Sequence, residues 1–189
     1  MNKIIFITHP EVEIDPKMEV KDWSLSEIGR QRIFKFSNTK ILSNIKTIWS
    51  SNENKAIETA QILSTKFSID CKFSPCLGEN DRSSTGFLLP VEFEETADLF
   101  FHNPNQSIRG WETAKSAQER IVSFFLKIEK EASQINTDIV IVSHGAVGTL
   151  LYCALNKLNI NRIYDQSKQG SYWIYCTKEK RVLQPWKLI

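Results

Sequence analysis

Two uninterrupted apolar runs predict strands that are buried on both faces of a sheet. The first run covers residues 4–7 and the second covers residues 139–142. The first contains only isoleucine and phenylalanine and the second only isoleucine and valine, compositions typical of strands inside a parallel sheet. The first run is followed by Thr8-His9-Pro10 and the second by Ser143-His144-Gly145. Because proline lacks an N–H and favours an extended conformation in the preceding residue, we expect the first strand to end at His9.

Shorter segments between and after these runs alternate between strand-like and helix-like patterns. Ser24-Leu25-Ser26-Glu27 predicts a capping box with Ser24 as the cap of a first helix that ends at about Phe36. Asn52 is the expected cap of a second helix, in which alanine and leucine recur at helical spacing. Further helices are predicted over 90–101, over 112–133 and after Gly145, and further strands over 46–51, 71–77, 172–176 and 181–186. This alternation predicts a three-layer α/β/α sandwich with a mostly parallel central sheet.

Length and charge narrow the classes of protein to consider. A chain of 189 residues without a linker-like segment predicts one domain over 1–189, with an irregular and helical excursion at about 80–110 that covers the site. The net charge of +2 argues against nucleic acid or a membrane surface as the main partner. No apolar run is long enough for a membrane span or a signal peptide. The four cysteines form no CxxC pair, so we expect reduced thiols in a cytoplasmic protein.

The residues after the two buried strands predict a site for an anion. Ligands bind at the carboxyl ends of parallel strands, so adjacent strands would bring His9 and His144 together there. Gly145 begins a helix whose free N–H groups and positive dipole end favour an anion. Lys55 lies in the first turn of the second helix, where a cation opposes the dipole by a few tenths of a kcal/mol. A bound anion opposite the ammonium group would explain that position, so the pattern predicts a phosphate site.

Six short segments, in this order, resemble the motifs of the histidine phosphatase superfamily, which has the phosphoglycerate mutase-like fold. That family has an Arg-His-Gly motif after its first strand, a Leu-Thr-x-x-Gly segment, a Ser-x-x-x-Arg-Ala-x-x-Thr-Ala segment, a Leu-x-Glu, a Gly-Glu-Ser segment before a long helix, and a late Ser-His-Gly. The corresponding segments here are Thr8-His9-Pro10, residues 25–29, residues 51–60, Leu77-Gly78-Glu79, residues 110–113 and Ser143-His144-Gly145.

The resemblance implies a phosphatase that acts through a phosphohistidine. His9 would attack phosphorus, and Glu79 would protonate the leaving oxygen and then activate water. His144, Lys55 and Gly145 would stabilise the phosphoryl oxygens. The implied ligand is a small phosphorylated substrate, and the resemblance implies no metal and no cofactor.

Two departures from the family motifs leave alternatives open. Thr8 stands where the family has its first arginine, and Lys55 stands where it has its second. Lysine offers a point charge instead of the two parallel bonds of a guanidinium. We therefore count Thr8 as a candidate phosphate-binding residue and Arg82 as a hypothetical relocated arginine. A weakened member that binds a phosphorylated ligand or a protein is the main alternative; a phosphoprotein phosphatase stays open, and a mutase is less favoured because the excursion is short.

Overall fold

The two strands that end in histidine lie side by side and parallel at the centre of one sheet. The computed structural model describes residues 2–134 and 137–189. In it Thr8 of the first strand is level with Ser143 of the other, so both strands end at the same edge. The strands are β1 (Lys3–Thr8), β2 (Ile45–Ser50), β3 (Cys71–Phe73), β4 (Asp138–Ser143), β5 (Ser171–Cys176) and β6 (Arg181–Leu188). Their order in the sheet is β3-β2-β4-β1-β5-β6.

Helices cover both faces of the sheet, which confirms the predicted three-layer sandwich. The helices are α1 (Glu27–Ser37), α2 (Asn54–Phe67), α3 (Pro90–His102), α4 (Ala114–Gln134) and α5 (Gly145–Leu155). The sheet is mostly parallel: β1, β2, β3 and β4 pair in parallel, whereas β5 is antiparallel to β1 and to β6. Side chains alternate along each strand. Ile4 and Phe6 therefore pack with α4 and α5, while Ile5 and Ile7 pack with α1 and α2.

Local predictions fail where a distant contact decides the outcome. The cap of α1 is Ser26, whose hydroxyl accepts the N–H of Gly29, and not Ser24. The Ser26 N–H donates to the carbonyl of Glu11, and a Cβ at Gly29 would lie 2.3 Å from that same oxygen. Packing against Glu11 thus sets the helix start and requires a glycine one turn later.

Two further boundaries differ from the sequence prediction. The predicted third strand ends at Phe73, because Pro75 begins a single helical turn over Pro75–Leu77. The residue that precedes α2 is Glu53, not Asn52, and it caps the helix with no side-chain hydrogen bond. Its carboxylate is bound elsewhere, as described below. None of the helices in the described residues is long and apolar enough to cross a membrane.

Candidate active site

The two histidine rings meet at the edge of the sheet with their centroids 5.2 Å apart. His9 is buried, and its Nδ1 lies 2.9 Å from the carbonyl oxygen of Pro10. A carbonyl only accepts hydrogen bonds, so the ring proton is on Nδ1 and the lone pair is on Nε2. Burial, and then the neighbouring His144 and Lys55, hold the pKa of His9 well below its usual range. The ring is therefore neutral at physiological pH and able to act as a nucleophile.

His144 is fully buried and is oriented by a serine at the end of β2. Its Nε2 lies 2.8 Å from the hydroxyl oxygen of Ser51, and that oxygen accepts the N–H of Glu53. We assign the hydroxyl proton to Nε2, which places the ring proton on Nδ1. Among the described residues, nothing accepts a hydrogen bond from the buried Nδ1. Burial and then Lys55 lower the pKa of His144 well below its usual range, so the neutral ring offers one N–H donor.

Glu79 occupies the N-terminus of α5, where the sequence predicts an anion. Its carboxylate accepts the main-chain N–H of Ala146 at 3.3 Å and that of Val147 at 3.1 Å. These bonds favour the charged carboxylate, but burial and then the charge of Glu53 outweigh them and raise its pKa. A carboxyl group with a raised pKa suits proton transfer to a leaving group.

Lys55 reaches the cavity but already has a counter-ion. Its ammonium group, on a side chain that is almost fully buried, donates to the carbonyl of Val20 at 2.8 Å and to Glu53 Oε2 at 2.6 Å. The other oxygen, Glu53 Oε1, accepts the N–H of Glu79 at 2.7 Å and lies 3.4 Å from His144 Nε2. Glu53 therefore contacts three of the predicted site residues.

Arg82 lies close to the cavity and carries the second cation. Its guanidinium carbon is 5.0 Å from the ring centroid of Phe93, a cation–π arrangement. Within the part of the chain that the structure describes, Arg82 forms no salt bridge, in contrast to Lys55. Glu79 and Glu53 act on it only at longer range. The guanidinium is thus better placed than the Lys55 ammonium to receive an additional anion.

Thr8 forms a hydrogen bond with a glutamine and is not among the described residues that line the cavity. Its hydroxyl accepts the N–H of Ser171 and donates to Gln166 Oε1 at 2.6 Å. Because Oε1 accepts, the amide nitrogen of Gln166 points the other way, toward Gly145. A Cβ on Gly145 would lie 2.4 Å from that nitrogen, so the glycine makes room for it. Gln166 and Gly145 both line the cavity, and a neutral amide stands on the side of the missing arginine.

A cavity of about 350 Å³ opens over these groups. Aromatic side chains that come mainly from α3 form one wall, the aromatic wall, and polar side chains from the segment before β5 form another, the polar wall. Arg162 links the two walls, because it pairs with Glu94 and Asp98 of α3. The aromatic wall consists of Trp23, Phe93, Phe100, Phe101 and Trp111, and the polar wall includes Gln166, Ser167, Lys168 and Gln169.

The structure brings together five of the predicted residues around this cavity: His9, Glu79, Lys55, Arg82 and Gly145. His144 is buried against His9 and is not among the residues that line the cavity, and Thr8 contributes only through Gln166. The sequence reasoning missed Glu53, although an acid two residues before a motif cation at a helix start is a usable signal. It also missed Gln166, for which the sequence holds no local signal.

Solved structures of the same fold include several phosphatases. YhfR from Bacillus stearothermophilus is 18% identical, with a TM-score of 0.79 and coverage of 97% of this chain and 95% of that chain. A mutant phosphoserine phosphatase from Entamoeba histolytica, in complex with phosphoserine, is 17% identical, with a TM-score of 0.78 and coverage of 97% and 95%. Mycobacterial glucosyl-3-phosphoglycerate phosphatase, in complex with inorganic phosphate, is 18% identical, with a TM-score of 0.75 and coverage of 100% and 96%. At this identity the likeness shows the fold.

A search among curated proteins gave no significant match. The family model described as the histidine phosphatase superfamily, branch 1, matches residues 4–188. Apart from Lys3 at the start of β1, that match spans every strand and helix of the described residues, together with both histidines. The chain belongs to the histidine phosphatase superfamily.

Proposed function

We propose that the protein hydrolyses a phosphomonoester through a phosphohistidine on His9. The observation that carries this proposal is the position of that ring: its Nδ1 lies 2.9 Å from the carbonyl oxygen of Pro10, and the ring lies beside His144 and lines the cavity. This arrangement leaves Nε2 as a nucleophile of fixed orientation. Membership of the superfamily supports the same chemistry.

The reaction has two steps. In the first step, His9 Nε2 attacks phosphorus, the bond from phosphorus to the leaving oxygen breaks, and protonated Glu79 gives its proton to that oxygen. In the second step, a water attacks the phosphohistidine, Glu79 takes the water proton, and the N–P bond breaks. Inorganic phosphate leaves, and His9 and Glu79 return to their starting states. The raised pKa of Glu79 supports its first role.

Three groups are suited to stabilise the negative charge on the phosphoryl oxygens. Arg82 supplies a guanidinium without a salt bridge among the described residues, Lys55 supplies a third N–H, and His144 supplies its unpaired Nδ1–H. Fixed donors of this kind stabilise charge as it develops, in a site from which water is excluded. These contacts need no metal ion.

A small organic phosphate fits the cavity better than a large one. About 350 Å³ is enough for a phosphoryl group and a compact organic body beside the aromatic wall. The Entamoeba relative is a phosphoserine phosphatase, and the mycobacterial relative acts on a glycosylated phosphoglycerate. Both substrates are small phosphorylated metabolites, which supports that class for this chain as well.

Hydrolysis of p-nitrophenyl phosphate by wild type, His9→Ala and His102→Ala tests the proposal. His102 is the third histidine of the chain and is exposed at the end of α3, so it is a matched control. We expect His9→Ala to lose at least a thousandfold in kcat/KM and His102→Ala to keep wild-type activity. Brief reaction with a ³²P-labelled substrate should give acid-labile label on wild type and on His102→Ala but not on His9→Ala. Unchanged activity in His9→Ala would contradict the nucleophile.

A phospho-ligand-binding role without turnover is the second candidate. The observation that favours it is the Lys55–Glu53 ion pair, which removes net positive charge from the site, together with Thr8 in place of an arginine. Calorimetric binding of a phosphate ester to wild type, with no hydrolysis across a panel of phosphomonoesters, would support this role over the enzymatic one.

A further inference from the structure

Glu53 contacts three residues of the proposed phosphoryl site, Glu79, Lys55 and His144, and has no role in the proposed reaction. It directly precedes α2, and its side chain is 15% exposed. Glu53 lines a second cavity of about 420 Å³, whose lining includes Glu79 and Arg82 of the first. An anion near a site that must hold phosphate weakens binding unless it has another use.

The contacts of Glu53 indicate two uses. Through Oε1 it accepts the main-chain N–H of Glu79 at 2.7 Å, which fixes the backbone at the proposed general acid. Through Oε2 it pairs with Lys55 at 2.6 Å. Lys55 donates a second hydrogen bond to the carbonyl of Val20, so one of its three N–H groups remains for a ligand. The Lys55–Glu53 ion pair as a whole carries no net charge.

We propose that Glu53 is a positioning residue that holds Glu79 by its main chain and, as the counter-ion of Lys55, lowers the affinity of the site for a phosphoryl dianion. This inference rests on the proposed function. Weak binding of dianionic phosphate has a consequence for turnover, because the product of hydrolysis is itself a phosphate anion. Glu53 thus favours release of inorganic phosphate.

The charge of Glu53 also acts on the carboxyl group of Glu79. Six groups contact that carboxyl or act on its charge: Glu53 before α2, Arg82 and the N–H of Asn80 in its own loop, Arg120 of α4, and the N–H groups of Ala146 and Val147 in α5. Burial raises the pKa of Glu79 most, and Glu53 raises it further. Removing the Glu53 charge must therefore lower the pKa of Glu79 and deprotonate the acid at a lower pH.

Glu53→Gln separates the two uses, because it keeps an oxygen for the Glu79 N–H and removes the charge. Glu58→Gln is the matched control: Glu58 lies in the second turn of α2, is 16% exposed, and binds a cation (Arg30) and a main-chain N–H (Leu25) away from the site. Calorimetry with inorganic phosphate gives the affinity without need for turnover. We expect Glu53→Gln to bind phosphate at least tenfold more tightly than wild type, and Glu58→Gln to bind it as wild type does.

The pH profile of kcat/KM gives the second measurement. Its alkaline limb should move to lower pH in Glu53→Gln and stay in place in Glu58→Gln. If phosphate affinity and the alkaline limb are both unchanged in Glu53→Gln, the inference is wrong, even when His9-dependent hydrolysis upholds the enzyme. If neither wild type nor any variant hydrolyses an ester, the proposed phosphatase activity is wrong. The phosphate affinities of the variants then still test whether the Glu53 charge weakens phosphate binding.

Glu53→Asp keeps the inference testable if the glutamine variant does not fold. Aspartate retains the charge but is one methylene shorter, so it cannot reach both Lys55 and the Glu79 N–H. We expect phosphate affinity within threefold of wild type and kcat lower by about tenfold. A tenfold change in phosphate affinity with unchanged kcat in this variant would overturn the proposal.

Discussion

The floor and the roof of the cavity are built in different ways. The floor is the sheet edge with His9, His144, Glu79 and Lys55, and each of these side chains is held by hydrogen bonds to the protein or packed against another of them. The roof consists of the aromatic wall, which comes mainly from α3, and the polar wall from the segment before β5. Arg162 of that segment pairs with two acidic residues of α3. Those acids, Glu94 and Asp98, have side chains that are 61% and 68% exposed.

This difference separates chemistry from recognition. A buried, hydrogen-bonded floor allows little movement, so the groups that transfer phosphoryl and protons keep their geometry. Exposed ion pairs contribute little stability and exchange readily, so the roof can adapt to the body of a substrate. Substitutions in the floor should therefore change kcat, and substitutions in the roof should change KM. The three predictions below test that division, from the largest expected effect to the smallest.

Glu79→Gln should have the largest effect among these three. The amide retains a hydrogen-bonding oxygen for α5 but cannot give a proton to the leaving group, so we expect kcat to fall on the order of a hundredfold or more. The loss should be smaller for p-nitrophenyl phosphate than for an alkyl phosphate, because nitrophenolate leaves without a proton. Steady-state kinetics on both esters measure this.

The pH dependence of activity tests whether Glu79 is the general acid. The reaction needs neutral His9, whose pKa is lowered, and protonated Glu79, whose pKa is raised. Activity should fall at low pH as His9 gains a proton and at high pH as Glu79 loses one, with the optimum between the two pKa values. The alkaline limb should vanish in Glu79→Gln. An alkaline limb that persists unchanged would assign the acid to another group.

Arg82→Ala tests whether the cation has moved from the motif position into the loop after Glu79. We expect at least a tenfold loss of affinity for inorganic phosphate, since Arg82 forms no salt bridge among the described residues while Lys55 has one. Arg82→Lys should recover part of the loss, because it restores the charge but not the two parallel bonds. Arg181→Ala, at an exposed arginine on β6, is the control. Full affinity in Arg82→Ala, with loss in Lys55→Ala, would contradict a relocated arginine.

The floor was largely predictable from the sequence because it depends on uninterrupted apolar strands. The runs at 4–7 and 139–142 have few alternatives to central parallel strands, and parallel strands end at one edge. The structure confirms their pairing, and with it the meeting of His9 and His144. The helical pattern of α2 likewise placed Lys55 near the same edge.

The remaining parts depend on contacts between residues far apart in the chain. Thr8 and Gln166 form a hydrogen bond although they are 158 positions apart in the chain, and neither residue predicts the other from the sequence. Ser24 and Ser26 are equally good caps locally, and the carbonyl of Glu11 decides between them. Glu53 lies at a position that the family motif leaves variable, so the motif does not predict its contacts with Lys55 and Glu79.

Phe93→Ala should have the smallest effect of the three and should act on the roof alone. The ring lines the cavity and lies 6.1 Å from Trp111, so an aryl substrate loses apolar contact when it is removed. Loss of about 1 kcal/mol of such contact corresponds to about a fivefold rise in KM for p-nitrophenyl phosphate. We expect kcat within twofold of wild type and little change in KM for methyl phosphate. Phe34→Ala, an exposed ring on α1, is the matched control.

Because Phe93 also contacts Arg82, inhibition by inorganic phosphate must be measured alongside. If phosphate inhibition weakens as much as aryl binding does, the ring acts by supporting the cation, and the division between floor and roof fails at this residue.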